Sequence, residues 1–155
     1  MTRAIILSLV LLIFQTGIAS AQADSTPEDT LNAFRAALEA GDRAAALSFL
    51  SPDLVVYEGG NVDAPRAGYA DHHLGSDIAF HVNVGSKLLT RKTLSADGLV
   101  TLISEYRQSG SFRGMAINAH VTETAVLERA DDGWAIAHLH WSSRMLRPDA
   151  DHSHD

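Results

Sequence analysis

The sequence predicts a single α+β domain in which helices come first and an antiparallel meander of strands comes last. Three observations point there. Apolar residues recur at helical spacing through most of the first half of the chain, long alternating runs fill the second half, and the turn dipeptides Asp97-Gly98, Ser109-Gly110 and Asp132-Gly133 separate those runs. At 155 residues, the chain has room for one hydrophobic core.

The leader comes first. Residues 1–21 hold one charge, Arg3, then an apolar run from Ala4 to Phe14, and small residues follow at Ala19, Ala21 and Ala23. This is the pattern of a secretory signal peptide cut after Ala21 or Ala23, because so short a run cannot cross ~30 Å of hydrocarbon as a helix. The mature protein is expected to be periplasmic or secreted, with no membrane attachment after cleavage. A domain spanning 27–147 follows, and the polar, acidic tail 148–155 is expected to be disordered.

Ser25-Thr26-Pro27-Glu28 carries the marks of a helix start: a hydroxyl cap, Pro in the first turn and acids where the dipole favours them. Leu31, Phe34 and Leu38, then Ala45, Leu47 and Leu50, give two apolar stripes broken at Gly41-Asp42, so two helices joined by a tight turn are expected. Ser51-Pro52-Asp53 is read as the end of the second helix, and residues 54–58 as a short strand entering a turn-rich segment. The helical period returns over 66–80, with Tyr69, His73, Asp77 and His81 stacked on one face by their spacing of four. Strands are then expected over 87–95, 99–108, 112–129 and 134–144.

Composition excludes several functions. The formal net charge is −7, and losing Arg3 with the leader deepens it to −8, so nucleic acid is not an expected partner. There is no cysteine, hence no disulfide framework, thiolate zinc site or cysteine nucleophile. Gly-rich phosphate loops, G-x-S-x-G and H-E-x-x-H are absent as well.

The stretch ALEAGDRAAALSFLSPDLVVYEGG (Ala37 to Gly60), the order of elements, and the closing DDGWAIAHLHWSS resemble the nuclear transport factor 2-like superfamily. That superfamily includes ketosteroid isomerases, SnoaL-type polyketide cyclases and the association domain of calcium/calmodulin-dependent kinase. The ending is similar to a secreted bacterial branch. The resemblance implies a cystatin-like α+β barrel: a cone-shaped, curved antiparallel sheet packed on N-terminal helices. It also implies a small ligand in the open end and a homodimer formed through the outer sheet face.

Glu58 falls where the isomerases carry the carboxylate that moves a proton, and a buried acid with a raised pKa suits that work. Phe34 falls where they carry an oxyanion-stabilising tyrosine, and phenylalanine cannot donate a hydrogen bond. Strict alternation through the last strand puts Trp134, Ile136, His138 and His140 on one face, and in the resembled fold that face lines the cavity. The expected catalytic residues are therefore Glu58, His138 and His140, with Tyr69, His73, Asp77, Phe34 and Trp134 contacting the ligand.

Two functions follow. One is an exported pocket protein that binds or transforms a small, partly apolar ligand, by isomerase-, cyclase- or dehydratase-like proton transfer if it is an enzyme, with no cofactor required. The other is a periplasmic divalent-metal-binding protein using His73, Asp77, His138 and His140, donors that suit Zn²⁺, Fe²⁺, Mn²⁺ or Cu²⁺. His152 and His154, among the tail's aspartates, are a looser metal candidate. His120 is expected to face either the cavity or a dimer partner, and Glu105, Arg107 and Glu123 are read as exposed ion-pairing residues.

Overall fold

The structure is a computed structural model that describes residues 25–147. The expected leader with its cleavage site and the His/Asp tail lie outside the described residues. The first helix, α1 (Pro27–Ala40), opens with a reciprocal capping box between Thr26 and Asp29 and closes on Gly41 in the left-handed region, φ 74°. After it, α2 (Arg43–Ser48) starts on Asp42, whose carboxylate accepts from the Ala45 N–H.

The segment 51–53 does not end α2, as expected, but lies inside β1 (Leu50–Glu58). Leu50 already pairs with Ile136 of the last strand, and the register shifts between Leu50 and Val55. Pro52, which has no N–H to give, sits in that interruption of the ladder. β1 turns back through Gly59-Gly60 onto β2 (Asn61–Asp63).

The single helix expected over 66–80 is two helices, α3 (Arg66–His72) and α4 (Leu74–His81), hinged at His73. The hinge lets the His73 imidazole meet Asp63 of β2 at 2.5 Å. Four long strands complete the chain: β3 (Val84–Ala96), β4 (Leu99–Phe112), β5 (Met115–Ala130) and β6 (Gly133–Met145). The turn expected at Ser109-Gly110 is instead at Arg113-Gly114, with φ of 50° and 78°, the positive pair that a two-residue hairpin prefers. Gly110 has another use, since a Cβ there would lie 2.4 Å from the Asn83 carbonyl oxygen.

The six strands form one sheet in the order β2-β1-β6-β5-β4-β3. Its pairings are antiparallel except β1 against β6, so the expected all-antiparallel sheet is corrected to a mixed one. The sheet is curved and does not close. Its inner face and the helices share a core of Leu31, Phe34, Leu38, Leu54, Val56, Leu102, Leu127, Ile136 and Leu139. Each such side chain removed from water contributes about 1.5–3 kcal/mol.

Inner and outer faces are set in β6 by a bulge. Leu127 pairs with Ile136 but Val126 pairs with His138, so Ala137 is an extra residue. Ile136, Leu139 and Trp141 consequently all turn inward, while His138 and His140 turn outward. Unbroken alternation had put the histidines with Ile136. One inserted residue reverses that assignment.

Candidate functional site

A cavity of about 570 Å³ opens between α4, the end of β1 and the inner faces of β4, β5 and β6. Phe80, Phe112, Val121 and Trp141 make its apolar wall, and Arg35, Glu58, His73, Asp77, His81 and Gln108 bring polar groups to it. Helix spacing of four carries His73, Asp77 and His81 to this side together. Glu58 arrives because it ends β1 in phase with the buried Leu54 and Val56 and beside Trp141.

The two carboxyls are electrostatically coupled. Glu58 stands at the mouth, where partial desolvation and then the nearby Asp77 push its pKa up, partly offset by His73. Asp77, deeper in the wall, is also raised by burial, while the hydrogen bond it accepts from the Tyr69 hydroxyl at 2.7 Å pulls the other way. Tyr69 is wholly buried, and its phenol is held far above its ordinary range by that desolvation and by Asp77. His81 moves in the opposite sense: burial and the Arg35 charge lower its pKa to about 4, so it is neutral at physiological pH. An acid pair that resists ionisation, lined by hydrocarbon, can take and return a proton.

Beneath the cavity lies an ionic network that inspection of the sequence had missed. Arg35 Nη1 donates to Glu123 Oε2 at 2.7 Å, with both side chains almost fully buried. Trp141 Nε1 donates to the same oxygen at 2.8 Å, and the Tyr106 hydroxyl donates to Oε1 at 3.0 Å. Arg91 joins through Tyr106, and the Arg35 guanidinium lies 3.9 Å above the Tyr106 ring. Glu123 is thus corrected from an exposed ion-pairing residue to a buried acceptor. The signal was available: Glu123 interrupts the inward row Val121, Ala125, Leu127, and Arg35 interrupts the stripe of Leu31, Phe34 and Leu38.

Other expected site residues are placed elsewhere. Phe34 is fully buried in the core and does not line the cavity. Trp134 packs on the core's edge beneath Arg129, on the same inner side as Trp141, since the bulge brings both tryptophans to one face. His138 lies on the outer face, its Nδ1 2.9 Å from the Val55 carbonyl and its ring 5.1 Å from that of Tyr57. His140 is exposed, yet it is among the residues that line the cavity. His120 is outward too, 2.9 Å from Glu105. The expected metal set is therefore divided, with His73 and Asp77 within the cone and His138 across the sheet. Among the described residues, no three His, Asp or Glu side chains come together as metal donors.

No family profile matches the chain, and no curated protein matches it. Solved structures do. A candidate ketosteroid isomerase from Shewanella frigidimarina NCIMB 400 is 30% identical with a TM-score of 0.73, the alignment covering 77% of this chain and 97% of that one. A candidate dehydratase of the NTF2-like family from Streptomyces avermitilis is 19% identical with a TM-score of 0.63, covering 76% and 92%. A protein with a cystatin-like fold from Caulobacter vibrioides is 17% identical with a TM-score of 0.63, covering 79% and 89%.

Proposed function

The chain belongs to the nuclear transport factor 2-like family, and on that premise we propose that it is an exported pocket protein that shifts a proton on a small, partly apolar carbonyl compound. One observation carries this reading: Glu58 and Asp77, both with pKa values pushed up, line the same cavity as the apolar Phe80, Phe112, Val121 and Trp141. The Shewanella relative's description as an isomerase supports the same chemistry.

In this mechanism the Glu58 carboxylate removes a proton from the carbon beside the carbonyl. Asp77, whose burial favours its protonated form, donates a hydrogen bond in that form to the developing enolate oxygen, and the Tyr69 hydroxyl fixes the orientation of Asp77 from behind. Proton return from Glu58 to the same or another carbon completes exchange or isomerisation. Asp77 thus occupies the electrophile's role for which Phe34 has no donor. No cofactor enters these steps.

The leader pattern of residues 1–21 supports export. The outer sheet face exposes Tyr57, Leu94 and Ile103, which supports a homodimer through that face. The function is tested with 2-tetralone in D2O, following deuterium entry beside the carbonyl by NMR. Wild-type protein should accelerate exchange, and Glu58→Gln should cut that acceleration at least ~100-fold. Exchange at the buffer rate, or exchange undiminished in Glu58→Gln, removes Glu58 as the base.

A further inference from the structure

Besides its acids, the cavity is lined by two nitrogen donors without partners. Among the described residues, Arg35 Nη2 and His81 Nδ1 are buried atoms that make no hydrogen bond, and both residues line the cavity. The Arg35 side chain is only 8% exposed, so bulk water is a poor substitute for a partner. A buried guanidinium nitrogen left unsatisfied costs more free energy than a neutral one, and the fold keeps it in that state.

Glu123 makes no bond to it. Its Oε2 already accepts from Arg35 Nη1 and Trp141, and its Oε1 accepts from Tyr106. One face of the guanidinium is covered by the Tyr106 ring, and the edge bearing Nη2 has an N–H to offer a new acceptor. Charge agrees with geometry, because Arg35 and Arg91 are joined in one network around a single carboxylate. His81, neutral at physiological pH, can present an N–H at Nδ1 without adding charge.

We propose that Arg35 and His81 form an anion subsite that receives the carboxylate of a small amphipathic organic acid, whose apolar body lies along Phe80, Phe112, Val121 and Trp141. The assignment rests on the pocket reading above and narrows its substrate class: the compound carries a carboxylate at one end and the reacting carbon at the other, toward Glu58. Planar, forked recognition by arginine suits a carboxylate, and a second donor from α4 fixes its orientation.

The test compares 4-phenylbutyrate with 4-phenylbutyramide, its uncharged isostere, by isothermal titration calorimetry at pH 7. Wild-type protein should bind the acid at least tenfold more tightly than the amide. Arg35→Met combined with Glu123→Gln, which removes both buried charges together, should reduce the preference below twofold. Should that double variant not fold, His81→Leu, at a partly exposed position, should still reduce the preference several-fold. Equal binding of acid and amide overturns the anion subsite while leaving Glu58 to be judged by exchange into 2-tetralone. A preference that survives substitution also overturns it, as does binding of neither probe.

Discussion

Asp77 is held protonated by burial more readily than a carboxyl in water, and this has a consequence for stability. Its folded pKa is raised above the unfolded value, so between the two the native state binds more protons than the unfolded chain. Stability is therefore fully present below the ordinary carboxylate range and falls as pH rises through the raised value. Asp77→Asn removes the ionisable group but keeps an acceptor for the Tyr69 hydroxyl. It should melt above wild type at pH 7, by a few degrees if the gain is ~1 kcal/mol, with the gap closing near pH 4. Thermal melts at the two pH values decide the matter, and a gap that is equal at both would contradict the assigned environment. At this scale the helix face of Tyr69, His73 and Asp77 was legible, since spacing of four suffices to align side chains. The Asp63 partner of His73 was not, because it comes from a separate strand, β2.

Elements show where local rules were enough and where a neighbour overruled them. The start of α1 was readable because a capping box is contained within a few residues. Ser109-Gly110 looked equally like a turn, yet β4 continues through it, and the glycine is required because β3 begins against it. Gly110→Ala would force a methyl group to within 2.4 Å of the Asn83 carbonyl. The expected cost is about 2 kcal/mol or more, read from the urea midpoint, whereas an alanine tolerated there without loss would show that β3 can move aside. Ala137 teaches the same lesson in β6. A bulge is stabilised by its two neighbouring strands and leaves no mark in the alternation of its own strand.

For the whole molecule, curvature divides the sheet into a concave side that holds the cavity and a convex side that carries Tyr57, Ile103, His138 and His140. The proposed homodimer through the convex face predicts that Ile103→Glu, 41% exposed in the single chain, yields a monomer with its fold intact. Sedimentation of wild type and variant reads this directly, and equal masses would place any dimer contact elsewhere. The sequence by itself determined the class of the fold and the order of its helices and long strands, because these follow from periodicity and from turn and cap chemistry within short windows, while Glu58 was found through the family resemblance. Tertiary structure alone decided the parallel pairing of β1 with β6, the outward turn of the imidazoles, and the meeting of Arg35 with Glu123. Each depends on residues far apart in the chain, whose register is chosen by what the assembled core can bury.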